Sequence, residues 1–361
     1  MTAALYVQAL RHGCCQVLRL RLPPWQKLLL IGLKAVAITG YFVGKLRSWS
    51  RASNGSMREA RPRRPLPSFL CSGGPAGGAV VVVPACIAGR HQAARLQRLV
   101  HGVLFGQQEA PAAVVVVDDC SPVQVADLLA EVQGAAPIGH QPLLAVHRLP
   151  TNQGLAAACN VGLQLAAGMG AGVVLFTDDD CQPDADWVAC MLAAQARTPG
   201  LVCGRTAATR PGTAVGLFHD VFGTLNGRLL PDGSLLYGCT CNLSAALPAL
   251  QAAAGSGAPA AGPFPAPACG SSGLLLFDES FSIAAFENVE YCVRARKAGI
   301  AISYAPEALV LHDYAYTPAA LFRQFAKHGS QEGLMALKHR EYPALLAASR
   351  DVPAVAAGAC S

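Results

Sequence analysis

No aspartate or glutamate occurs in the first 58 residues of this 361-residue chain; the first acid is Glu59. Basic residues run through the same stretch, from Arg11 to Arg64, so the formal net charge of +6 belongs to the N-terminus and not to a groove that would grip nucleic acid. Charge is scarce overall. With 14% charged and 52% hydrophobic residues, the chain is neither disordered nor a nucleic-acid coat, and its length holds one large domain, or two small ones, with a substantial core. No CxxC and no Cys/His ligand spacing occurs among the 14 cysteines, which excludes a zinc framework. Cys14-Cys15 and Cys239-Thr240-Cys241 are close pairs, whereas Cys159 and Cys190 sit in apolar runs and read as reduced core thiols. There is no internal repeat. Ala85–Gln92, after the first strand, offers only Gly89 and Arg90, which is a poor phosphate loop for a nucleotidyltransferase.

The longest apolar run, Leu28 to Gly44, is interrupted by Lys34 and flanked by Lys27 on one side and Lys45, Arg47 and Arg51 on the other. It is short for a span of roughly 20 residues. A signal anchor, an interfacial helix and an acid-poor targeting segment all fit, with the anchor placed first. The flanking charges favour a cytosol-facing domain, whereas an occupied Asn54-Gly55-Ser56 glycosylation triplet would argue the reverse, so orientation stays open. Deleting residues 1–50 is expected to leave soluble protein. The chain therefore divides into an anchor or targeting segment (1–49), a Ser/Arg/Pro/Gly-rich stem (50–77), the main domain (78–330) and a C-terminal tail (331–361). Residues 250–273, rich in Ala, Gly, Ser and Pro, read as a low-complexity insertion.

Within the main domain the pattern alternates. Ala79–Pro84, Ala113–Val117, Leu143–His147 and Val173–Phe176 read as strands. Between and after them, helices are expected around Leu96–Leu104, over Val123–Val132 and Leu155–Ala166, and from Asp184 to Ala194. Later, Phe286–Ala298 reads as a polar helix stopped by Gly299, and Ile300–Tyr304 and Ala308–Leu311 as two short strands. Strands alternating with helices predict an α/β fold with a doubly wound, mostly parallel sheet.

Acids stand at the ends of these elements: Asp118/Asp119, Asp178-Asp179-Asp180, Asp278/Glu279 and Glu287/Glu290. Three adjacent carboxylates after a buried strand repel one another unless a cation sits among them, and strand C-termini are where ligands bind in open α/β sheets. Alternatives from local structure are a solvated acidic loop for the triplet and a helix cap for Asp118/Asp119.

Residues 79–330 resemble the family 2 glycosyltransferases, which have the GT-A fold. The resemblance rests on Val82-Val83-Pro84, Val116-Val117-Asp118-Asp119-Cys120-Ser121, Asn152-Gln153-Gly154 through Asn160-Val161-Gly162, the acid triplet, Phe277-Asp278-Glu279-Ser280-Phe281, Phe286-Glu287-Asn288-Val289-Glu290, Tyr304-Ala305-Pro306-Glu307 and His312. It implies a nucleotide-sugar donor (UDP- or GDP-linked), a divalent Mn²⁺ or Mg²⁺, inverting transfer of a sugar to a saccharide, lipid or protein hydroxyl, and no nucleic-acid partner. It implies donor contacts by Pro84, Asp118, Asp119, Asn152, Gly154, Asn160, Asp178 and Asp179, with Asp119 accepting from the nucleobase. Asp178 and Asp180 match its DxD positions, Asp178, Asp180 and His312 being the metal ligands. With the N-terminal segment it implies a membrane-associated protein of the ER or Golgi, or else an organellar one after transit-peptide removal.

The departures concern the acceptor side. The family's Glu-Asp motif reads Glu287-Asn288 here, and Asn cannot take a proton, which leaves Glu287 as the candidate base. Glu290 reads as a surface carboxylate pairing with Arg294. Cys86-Ile87 replaces an aromatic and an Asn, and Asn242-Leu243-Ser244 lacks the basic residues that often follow. A protein that binds nucleotide sugar without turnover, or acts as a scaffold, is the alternative that Asn288 motivates.

Overall fold

A computed structural model describes residues 3–53, 77–134, 142–255 and 273–352. The glycosylation triplet and most of the expected stem lie outside the described residues.

Four strands rich in valine and alanine form one half of the main sheet: β1 (Ala79–Ala85), β2 (Ala113–Asp118), β3 (Leu143–Arg148) and β4 (Val173–Phe176). β1 pairs in parallel with β2 and β4, and β2 with β3. Alternate residues of these strands feed two separate cores, which is why the strands are apolar throughout instead of alternating. Val82, Val115 and Phe176 face α5 (Leu155–Gly168). Val81, Val114 and Leu175 face α3 (Arg90–Phe105), α4 (Val125–Gly134) and α6 (Trp187–Arg197). Pro84 is tolerated in a central strand because the pairing with β4 stops at Val82, opposite Phe176.

The other half was less visible in the sequence. β5 (Cys181–Pro183), β6 (Leu201–Ala208), β9 (Leu243–Ala246) and β10 (Ile302–His312) complete the order β3-β2-β1-β4-β9-β6-β10-β5, with β5 and β9 antiparallel to their neighbours. The two short strands expected at 300–304 and 308–311 are one strand with an irregularity between Ala305 and Leu309.

Two expected boundaries fall inside helices. The insertion begins later than 250, because α8 occupies Leu247–Gly255; residues 256–272 lie outside the described residues. The C-terminal tail does not begin at 331. α10 (Pro318–Lys338) runs through that point, α11 (Tyr342–Ala348) follows, and β11 (Arg350–Asp351) joins β7 (Arg228–Leu229) and β8 (Leu235–Tyr237) in a small second sheet. Leu230, Phe281, Val289, Met335 and Tyr342 form a core there with α9 (Glu287–Lys297).

The N-terminal segment is in contact with the domain. α1 (Ala3–Leu18) and α2 (Pro24–Ser53) pack on the domain: Val17, Leu30, Leu33 and Ala37 share a core with Phe218 and Phe222 of α7 (Ala214–Phe222) and Leu321 of α10. Lys34, which spoils the apolar run, points inward, its Nζ 3.9 Å from the centre of the Phe222 ring. Further along, α2 and α10 cross backbone to backbone. A Cβ on Gly44 would lie 1.9 Å from the Ala326 carbonyl oxygen, and one on Gly329 1.9 Å from that of Tyr41. Lys45 is ion-paired with Glu332 beside this crossing. Gly329→Val must push the helices apart and should cost about 1–3 kcal/mol, read as a lowered thermal midpoint; an unchanged midpoint would mean that the crossing contributes nothing.

Candidate active site

The site lies at the carboxyl ends of the parallel strands. β4 ends at Phe176, the chain turns through Thr177–Asp180, and β5 then runs back along β10 so that Cys181 faces His312. This register brings His312 Nε2 within 3.3 Å of Asp180 Oδ1. Asp178 Oδ1 is buried without a hydrogen-bond partner among the described residues. Burial, then the charges of Asp180, Asp179 and Glu287, push the Asp178 carboxyl well above its usual range. Asp179 is pushed to about 6 by burial and by Asp180, against the pull of Arg95 and of the Cys86 amide. Burial lowers the His312 pKa, so the ring is neutral and able to donate a lone pair.

This donor set fits a hard divalent cation: crowded carboxylates, an unpartnered buried oxygen and a neutral imidazole. Asp180, Cys181 and His312 have ligand atoms within 4.8 Å of one another. The Cys181 thiol, however, is buried, with its Sγ 3.8 Å from the Cys241 carbonyl oxygen that accepts from it, and burial raises its pKa. Asp178, Asp180 and His312 are therefore the better fit.

Two strands from β4 in the sheet, just past β2, Asp119 accepts from the Gln153 amide at 2.6 Å and the Gly154 amide at 2.8 Å, tying the end of β2 to the entrance of α5. Gly154, at φ +93°, takes a conformation that other residues avoid. Burial nevertheless raises the Asp119 pKa. Asn152 donates to the Asp119 carbonyl at 3.2 Å and so belongs to the same corner. Asp118 sits apart: its carboxylate accepts from the Ser121 amide at 2.8 Å and from Arg148 at 2.6 Å. Neither aspartate caps α4, which starts only at Val125. Asn160 is likewise used internally, donating to the Phe277 carbonyl at 3.0 Å and to Glu279 at 2.8 Å. Pro84 is buried within β1.

Glu287 opens α9. Phe286 before it is left-handed (φ +71°), a turn that sets where the first residue of the helix points. Glu287 is only 3% exposed, and its Oε2 has no hydrogen-bond partner among the described residues. Burial raises its pKa to about 7 although nearby backbone amides, including that of Asn288, oppose the shift. Its charge helps to raise the Asp178 pKa, so the two buried carboxylates are within electrostatic reach of each other. Asn288 instead donates to the Gly238 carbonyl at 2.9 Å. Glu290 is not on the surface: it is 1% exposed, held bidentately by Arg294 at 2.6 and 2.7 Å and approached by His339 at 3.1 Å.

Sequence reasoning assigned no individual role to Arg95, Asn242 or Arg148. Arg95 projects from α3 to within 3.3 Å of Asp313, and its charge reaches Asp179 and His312. Asn242 is fully buried, accepting from the Trp187 indole at 2.8 Å and donating to the Arg205 and Ala308 carbonyls. Only Arg148 had a clue, because Asp118 and Arg148 end adjacent parallel strands in register.

Carboxylates gathered at the carboxyl ends of the strands lie where open α/β sheets bind their ligands. Residues 80–242 match the family model described as Glycosyl transferase family 2, and this segment carries the chain's likeness to that family. No curated protein sequence matches the chain. Among solved structures it is similar to S. aureus TarS (16% identity, 68% of this chain and 38% of that one, TM-score 0.44). It is also similar to GalNAc-T7 with UDP, GalNAc and Mn²⁺ (15% identity, 66% and 44%, TM-score 0.45). A third is the mannosyltransferase PcManGT from Pyrobaculum calidifontis, with GDP-Man and Mn²⁺ (16% identity, 91% and 89%, TM-score 0.45). The chain thus spans less than half the length of the TarS and GalNAc-T7 chains it resembles.

Proposed function

We propose that this protein transfers a hexosyl group, with inversion, from a UDP- or GDP-linked sugar to an acceptor hydroxyl, using a divalent cation. The observation that carries the reading is the pair of buried carboxylates, Asp178 and Glu287, each with an unpartnered oxygen and close enough for the charge of Glu287 to act on Asp178. Asp119 would accept from the nucleobase, since a carboxylate has lone pairs beyond the two that Gln153 and Gly154 use. Asp178, Asp180 and His312 would hold Mn²⁺ or Mg²⁺, which when bound offsets the charge developing on the departing diphosphate. Glu287, with its raised pKa, takes the proton as the acceptor oxygen bonds to the anomeric carbon and the bond to the diphosphate breaks. We also propose that residues 24–48, apolar and long enough to cross a bilayer by length and composition, attach the protein to a membrane of the ER or Golgi.

Nucleotide release from a panel of UDP- and GDP-sugars with Mn²⁺ tests the first part. The parent should turn over at least one donor, and Asp180→Ala should abolish the metal-dependent turnover. Full turnover by that variant removes the metal assignment. Asn288→Asp should not raise the rate, because the new carboxylate would face the Gly238 carbonyl that the amide now serves. A parent that binds donor but turns over only as Asn288→Asp would mean a sugar-nucleotide-binding protein instead.

A further inference from the structure

The N-terminal helices have two faces of opposite character. The inner face of α2 carries its interior lysines: Lys34 lies over Phe222, and Lys45 is paired with Glu332. Between Trp25 and Leu46 every exposed residue is uncharged: Trp25, Leu28, Leu29, Gly32, Thr39 and Leu46. Trp25 is 64% exposed, Leu28 71% and Leu46 66%, and Leu18 at the end of α1 adds 60%. The one hydroxyl on this stripe, that of Thr39, donates to the Ala35 carbonyl of its own helix at 2.8 Å. At 1.5 Å per residue the stripe is about 32 Å long. A stripe of this length is more than a monomeric protein leaves open to water without use.

Its ends are basic. Arg19 and Arg21 are exposed near one end and Arg47 at the other, and no acid occurs before Glu59. Such a strip, apolar along its length and positive at both ends, matches one leaflet of an anionic membrane, where acyl chains lie beneath negative headgroups.

A crossing helix is a different matter. The inner face of α2 is in backbone contact with α10 at Gly40, Gly44 and Gly329. α10 carries Arg323, Gln324, Lys327, Gln331 and Glu332 within the same stretch. If α2 stood across the bilayer, those charges would enter the hydrocarbon with it, at a cost of several kcal/mol each.

We infer that α2 lies in the plane of the membrane as a monotopic foot, its Trp25–Leu46 stripe sunk into one leaflet and the glycosyltransferase domain fixed to its opposite face. This inference rests on the membrane attachment proposed above and deepens it: the helix lies in one leaflet, and the chain on both sides of it stays on the side of the domain.

The test uses the full chain and vesicles of phosphatidylcholine with and without phosphatidylserine. A genetically encoded fluorophore at position 28, 36 or 46 is quenched by lipids brominated at defined depths. All three positions should report the same shallow depth, with tighter binding to vesicles that contain phosphatidylserine. Trp25→Glu with Leu28→Glu should weaken vesicle binding at least tenfold while donor turnover stays as in the parent. A probe at 36 in the bilayer centre, with 28 and 46 shallow, overturns the in-plane geometry and leaves attachment standing. No binding to either vesicle overturns attachment as well. A lipid-free dimer that the double variant dissolves, without vesicle binding, assigns the stripe to a second copy of this chain and also overturns the inference.

Discussion

Glu287→Gln should lower the turnover of whichever donor the panel identifies by a factor of 10² to 10⁴, about 3–5 kcal/mol of barrier, with donor affinity almost unchanged. The side chain stays the same size and only its capacity to hold a proton is lost. With burial raising the Glu287 pKa to about 7, the proposed role of its ionised form as base makes kcat/KM of the parent rise with pH through about 7. In the variant that limb should disappear. A residual rate that still climbs through the same pH, or a variant as fast as the parent, would place the base elsewhere. The neighbouring Asn288 cannot take over, both because an amide is far too weak a base to accept a proton near neutral pH and because it is committed to Gly238.

Arg294→Met should be the most damaging single change to stability, about 3–5 kcal/mol. The guanidinium binds both Glu290 oxygens and the Leu276 carbonyl at 2.7 Å, and the variant would leave all three buried and short of a partner. Burial alone would raise the Glu290 pKa, but the Arg294 charge and the hydrogen bonds from His339 and Arg294 hold it below its ordinary value of 4.5. The pair's pH-linked stability is therefore complete above 4.5 and declines as the pH falls through the lower folded value. Urea midpoints at neutral and acid pH measure both effects. Glu290→Met combined with Arg294→Met should recover part of the loss, since no charge is then stranded. A single variant with the parent's midpoint would sink the assignment.

The legible half of the fold was the half with redundant signals. In β1, β2 and β4, buried on both faces, nearly every residue is apolar, and β1 leads into a helix with a clear apolar face. β5, β6 and β9 were obscure because a three- or four-residue strand, or one containing Gly204 and Arg205, has no period to detect. The acid triplet and His312 could be named from their places at strand ends, but what joins them is the antiparallel register of β5 on β10, which no local pattern encodes. Glu290 was read as a surface residue because its spacing to Arg294 is that of an exposed helix pair. What buries it is the long-range arrival of His339 from the chain's far end. In the same way Asp118 and Asn160 look like ligand groups by type, yet each is consumed by a partner that only the folded chain supplies.

The glycine crossing between α2 and α10 alters how this protein must be handled. A chain shortened to begin after residue 53 would lose more than a membrane handle. It would strip the cover from Phe218, Phe222 and Leu321 and bare the groove along Gly329 that α2 now fills. The deletion that seemed suited to releasing a soluble enzyme would instead create a sticky wall on it. A detergent-solubilised full-length preparation is the form in which the catalytic unit stays whole.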